Sequence, residues 1–247
     1  MTDFLPDFST DGAEAMSKRD RLRWLMIAAV VTVVLWQVPF GNYILYPFTI
    51  LATWFHEMGH GLTAMLLGAN FDKLVLYPNG SGVAQSSGGV FGGPLGRALV
   101  SAGGPMGPPL AGAALIVASR QHRTTRWGLI MLGALLVSST VVWVRSLTGW
   151  LVLPWLGAAI LYVALKTKAW QKIFTIQFLG VQACISSFHQ LDYLFTYQAT
   201  IGGRAMLSDT GQMSKSLLLP HWFWGGLLAI AALLLLAKSL HLAYRKG

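Results

Sequence analysis

His56, Glu57 and His60 form an H-E-x-x-H pattern inside the apolar stretch TWFHEMGHGL. On a helix, histidines at i and i+4 share one face a turn apart, so their imidazoles can converge on a single metal ion. Glu57 sits off that face. It suits the role of a general base that takes a proton from metal-activated water better than that of a ligand. Zinc fits such a donor set, because it acidifies bound water and polarises a carbonyl in hydrolysis. Glutamate is scarce in this chain: Glu14 lies in a polar N-terminal tail, and Glu57 is the other one. An ionisable group in apolar surroundings costs several kcal/mol, roughly, unless it is paired or functional. Two histidines packed for structure alone leave that glutamate unexplained.

The elements that must carry these residues are membrane-like. Of the 247 residues, 54% are apolar and 11% are charged, whereas a soluble domain is about a quarter charged. Long apolar stretches alternate with short basic or Gly/Pro-rich joints, which predicts an all-α polytopic membrane protein. Seven segments stand out, at about 22–40, 43–67, 94–119, 127–144, 147–165, 170–195 and 217–240. A polar tail, 1–21, precedes a single membrane-embedded domain, 22–247. The tail and its SKRDRLR joint do not read as a signal peptide. The net charge of +9 comes from basic residues beside apolar segments, the pattern of juxtamembrane anchors rather than of a nucleic-acid surface. Those residues divide almost evenly between the two sides, so charge sets no orientation. The single cysteine, Cys184, excludes an internal disulfide and a cysteine-based zinc site.

Between the second and third segments, the loop at about 68–93 is of a different kind. Alternating apolar residues bracket Asn79-Gly80, a strong short-range signal for a β-hairpin over 71–85. Such a hairpin offers a strand edge that could hold an extended peptide, with Val75, Leu76, Gly80, Gly82 and Val83 as the expected contacts. Gly59 and Gly61 keep the motif helix slim enough for close approach by another helix or a substrate.

A catalytic zinc site wants three protein ligands and one open position. Segments two and six are separated by three crossings and so run parallel, which puts the end of segment six at the motif's level. Asp192, in SSFHQLDYLF, is therefore the expected third ligand. Asp209, in the loop after segment six, and His189, one turn before Asp192, are the alternatives.

The stretch HEMGHGLTAMLLGANFDKLVLYPNGSG resembles the motif region of site-2-protease-type intramembrane zinc metallopeptidases, especially their small bacterial branch. The resemblance implies a motif-bearing membrane helix followed by a hairpin or re-entrant element, with an Asp ligand from a later helix. His56 and His60 then correspond to zinc ligands and Glu57 to the general base. Asp192 corresponds to the third ligand through the Leu-Asp of QLDY, where Tyr193 stands in place of the family's Gly. GGPMGP is similar to the close-packed helix after the hairpin. The likeness is carried mainly by residues 50–110. It implies a multi-pass protein of a bacterial cell membrane that cleaves membrane-protein or peptide substrates within the lipid bilayer.

Two other functions fit parts of the sequence. A catalytically inactive member would bind transmembrane segments without cutting them, but it would have no need to keep Glu57. A metal transporter would string ionisable residues across several helices, whereas here they gather at one locus.

Overall fold

The computed structural model describes residues 18–189 and 191–244. Each of the seven apolar segments folds as a helix: α1 (Lys18–Leu35), α2 (Gly41–Leu66), α3 (Gly93–Ala118), α4 (His122–Val142), α5 (Leu147–Lys166), α6 (Ala169–His189) and, last in the chain, α9 (His221–Tyr244). Among the described residues, α3, α4, α5 and α9 are long and apolar enough to cross a membrane, and the apolar part of α1, Leu22–Leu35, is shorter. The helices α2 and α6 are diluted by the polar side chains that line the interior, among them His56, Glu57, Gln177 and Gln182.

The hairpin forms between α2 and α3. Strand β1 (Asn70–Leu76) pairs antiparallel with β2 (Gly82–Ser87), Val75 opposite Val83 and Leu74 opposite Ala84. The turn runs through Tyr77-Pro78-Asn79-Gly80 and is closed by the Gly80 amide on the Tyr77 carbonyl at 3.0 Å. Only Gly80 takes a positive φ (+86°), and Asn79 instead accepts from the Ser81 amide with its side chain at 3.1 Å. The turn thus uses the fixed φ of proline early and the freedom of glycine at its end.

Segment six is shorter than expected. The helix α6 stops at His189, and a four-residue helix α7 (Leu191–Leu194) follows. A second hairpin comes next, β3 (Gln198–Ile201) against β4 (Arg204–Leu207), and then a nine-residue helix α8 (Asp209–Leu217). The sequence reading took this stretch as a loop. The signal for it is Gly202-Gly203 between two short strand-like runs, and both glycines adopt positive φ. Helix α8 begins at a built cap, the Ser208 hydroxyl accepting from the Gly211 amide at 3.0 Å.

Helix α3 is the hub, packing on α2, α6, α8 and α9. Its approach to α2 is set by glycine on both sides: a Cβ at Gly59 would stand 2.1 Å from the Gly103 carbonyl oxygen, and one at Gly107 would stand 2.3 Å from that of Phe55. Small residues let helix backbones meet in this way where side-chain burial from water contributes little. The main core gathers Ile50, Trp54, Leu74, Leu129, Leu136 and Leu153 between α2, the first hairpin, α4 and α5. Trp54 donates its indole N–H to the Ser139 hydroxyl at 3.0 Å, bracing α2 against α4.

Candidate metal centre

The two histidines lie on one stripe of α2, as their spacing requires. Their Nε2 atoms are 3.2 Å apart. His60 fixes its own tautomer: Nδ1 lies 2.8 Å from the Val100 carbonyl on α3 and donates to it, so the Nε2 lone pair faces the site.

Asp209 completes the group. Its Oδ2 is 3.0 Å from His56 Nε2 and its Oδ1 is 3.1 Å from His60 Nε2. Among the described residues, His56, His60 and Asp209 form a cluster whose ligand atoms could share one ion. Asp209 is buried at the first turn of α8, which the Ser208 cap and the packing of α8 on α3 hold in place. Burial by itself would push its carboxyl up; when His60 and His56 carry protons in place of an ion, they outweigh this and hold it well below the usual carboxylate range.

Asp192, the expected third ligand, is not part of this cluster. Its side chain is exposed on α7, and the structure does not bring it to the histidines. On so short a helix successive residues point in different directions, and it is the next one, Tyr193, that turns inward, its ring edge-on to His56 with centroids 6.2 Å apart. The side chain of His189 lies outside the described residues. Asp209, carried in the sequence reading as an alternative, is the acid that reaches the site.

The residues present fit a metal ion. The two imidazole nitrogens and the two Asp209 oxygens approach one another at 3.0–3.2 Å, close to the roughly 3.3 Å between ligand atoms of a tetrahedral zinc site with bonds of about 2.0–2.1 Å. Asp209 Oδ2 is buried against His56 Nε2 at 3.0 Å, and with both imidazoles neutral these facing acceptors are a costly arrangement that a cation would relieve. The space beside the cluster exists because residue 104 is glycine: a Cβ there would stand 2.1 Å from His60 Nε2 and 2.7 Å from His56 Nε2.

Glu57 lies next to this group on α2 and is buried. Its Oε2 accepts from the Ala84 amide of β2 at 2.6 Å. One turn earlier, Thr53 donates its hydroxyl to the Gly80 carbonyl at 2.5 Å. The first hairpin is therefore seated on the face of α2 that carries Glu57.

That seating revises the expected strand edge. The outer edge of β1 is already filled: the Leu74 amide donates to the Trp143 carbonyl and the Leu74 carbonyl accepts from the Arg145 amide, both at 2.9 Å. The Leu76 amide donates to the Ser146 hydroxyl at 2.9 Å. Because Leu74 turns its backbone groups outward, alternation makes Val75 and Val83 the pair that bond each other. Neither Val75, Leu76 nor Val83 offers a free backbone edge. Gly80 spends its carbonyl on Thr53, and Ala84, whose backbone turns away from β1 on the β2 side, spends its amide on Glu57. Gly82 is pressed against α2, where a Cβ would stand 2.8 Å from both Glu57 Cγ and Thr53 Cγ2.

Neither a curated protein nor a solved structure matched the chain. A family model described as Peptidase M50B-like matches residues 24–239. With the H-E-x-x-H helix, its hairpin and an aspartate gathered at one centre, the chain belongs to this peptidase family, the site-2-protease type that its motif region resembles.

Proposed function

We propose that the protein is a zinc-dependent endopeptidase that hydrolyses peptide bonds in or near transmembrane segments. The supporting observation is the convergence of His56, His60 and Asp209 within 3.0–3.2 Å beside a glycine that leaves room for an ion. His56 and His60 supply two neutral nitrogens and Asp209 one carboxylate oxygen, a set that leaves a fourth position open for water or substrate. Zinc held there supplies Lewis acidity toward a carbonyl and lowers the pKa of water. Glu57 is the proton acceptor: its carboxylate is fixed by Ala84, next to the ligands on the same helix, and it can return the proton to the leaving amine. The Val100 carbonyl keeps His60 in the ligating tautomer.

The chain is an integral membrane protein in this reading. Four helices of spanning length and the family support that, and α1, α2 and α6 complete a seven-helix arrangement. The substrate must be locally unwound, because helical carbonyls are already hydrogen-bonded. The lipid bilayer is the expected surroundings for both enzyme and substrate.

The test is cleavage of reconstituted transmembrane peptides by purified protein in proteoliposomes. Cleavage that a zinc chelator abolishes and added zinc restores is the expected result. Chelator-resistant cleavage, or no zinc in protein purified without chelators, would overturn the proposal.

A further inference from the structure

The end of the bundle farthest from the metal centre holds positive charge that the chemistry there does not use. Ser186, near the last turn of α6, lies beside His56. Lys172, in the first turn of the same helix, is about 21 Å away along the axis. Between Lys73 and Leu191 the chain has no Asp or Glu. The α3–α4 and α5–α6 joints therefore bring Arg120, Arg123, Arg126, Lys166, Lys168 and Lys172 to one end without a carboxylate among them. Lys172 stands apart from the rest because it is 8% exposed. Among the described residues no carboxylate or hydrogen-bond acceptor pairs with it, and the charge that acts on it is another cation, Arg126 of α4. The two helices lie side by side here: a Cβ at Gly128 would stand 2.9 Å from Ile176 Cδ1.

We infer that Lys172 and Arg126 bind the phosphate of an anionic phospholipid headgroup. A lysine this buried is ordinarily paired, because an unpaired charge is costly to desolvate. Its place adds to the cost, since a cation in the first turn faces the positive end of the helix dipole. Helix α4 begins beside it with no acid in its first turn and no side chain capping its amides, and the first turn of α6 likewise has no acid. Two cations and two helix N-termini thus converge, and an anion is the group that relieves all four. Phosphate suits them: the guanidinium offers two parallel donors to its oxygens, and the ammonium adds a point charge. The surroundings select a lipid over a soluble anion. Trp127 and Trp170 are exposed beside the pair, and exposed indoles sit at headgroup level. From Trp127 an apolar exposed stripe continues along α4 through Met131 and Leu135, the path an acyl chain would follow below the phosphate. The site is independent of the peptidase reading, since none of its residues belongs to the metal centre.

Native mass spectrometry of the full-length protein in a non-ionic detergent tests this. The protein is titrated with a short-chain phosphatidylglycerol, with phosphatidylcholine of the same chain length, and with inorganic phosphate as competitor. Phosphatidylglycerol should bind about tenfold more tightly than phosphatidylcholine. Lys172→Met keeps the buried apolar stem and removes the charge. It should erase most of that preference while melting no lower than wild type in lipid-free detergent. Arg126→Gln changes an exposed residue, so it should fold in any case, and it should weaken the preference several-fold. Arg204→Gln removes an exposed cation from β4, beyond the far end of α6, and should leave the preference intact. Equal binding of the two lipids, or a preference that survives both Lys172→Met and Arg126→Gln, overturns the site. A lower melting temperature of lipid-free Lys172→Met also overturns it, by showing that Lys172 is stabilised within the protein itself. Displacement of phosphatidylglycerol by an equal concentration of inorganic phosphate overturns the lipid as the occupant.

Discussion

The carboxylate of Glu57 and the amide of Ala84 meet at 2.6 Å across 27 residues of sequence. One side chain thus does two things: it seats β2 on α2, and it stands beside the ligand cluster. The two roles separate by substitution. In Glu57→Gln the amide oxygen still accepts from Ala84, so melting temperature and zinc content should stay close to wild type while cleavage falls by about 10² or more. Glu57→Ala loses both roles and should also melt several degrees lower, because the half-buried Ala84 amide loses its partner. Full cleavage by Glu57→Gln would remove Glu57 from the chemistry.

The identity of the third ligand is decided by comparing Asp209→Asn with Asp192→Asn. Asp209→Asn should lose most bound zinc, as a neutral amide is a poor ligand. Asp192→Asn, whose side chain is exposed, should keep zinc and stability within about 0.5 kcal/mol of wild type. Elemental analysis of the two purified variants reads the result directly, and retention of zinc by Asp209→Asn with loss from Asp192→Asn would reverse the assignment.

Gly104 and Gly82 should fail in different ways. Ala at 104 drives a methyl to 2.1 Å from His60 Nε2, so Gly104→Ala should abolish zinc binding while helix content by circular dichroism remains. Ala at 82 presses on Glu57 Cγ at 2.8 Å, so Gly82→Ala should keep zinc yet lose cleavage. Gly226→Ala, on α9 with open space around it, is the control and should be neutral or stabilise by up to about 1 kcal/mol.

Proline at position 83 tests the strand pairing. Val83 bonds Val75 across the ladder, so Val83→Pro removes a donor from inside the hairpin. The expected outcome is loss of amide-exchange protection at Val75 and throughout β2, with a lower melting temperature. Protection unchanged at Val75 would mean that the ladder does not use Val83.

Much of this protein follows from local pattern. The H-E-x-x-H face is legible because helical spacing alone puts His56 and His60 a turn apart. The first hairpin is legible from strand alternation around a Pro-Asn-Gly turn, and the apolar segments follow from composition. Near the turn the local rule misplaces only φ: Asn79-Gly80 permits two positive values, and the structure uses one.

What tertiary structure alone decided is which distant groups meet. Asp192 and Asp209 both lie at the correct end of the chain's path, and crossing count cannot separate them. The choice turned on α7 facing Tyr193 inward and on a capped helix, α8, that packs on α3 and brings its first residue to the histidines of α2. The hairpin's free edge was settled the same way, by Trp143 and Arg145 occupying the far side of Leu74, a contact some seventy residues away in sequence. Glycine at 104 and 107 carries no local signal of its purpose; each matters because another backbone or an imidazole lies where its Cβ would be. Periodicity and turn chemistry act within a few residues, whereas ligand sets and edges depend on packing between elements, and that is where the sequence alone stopped.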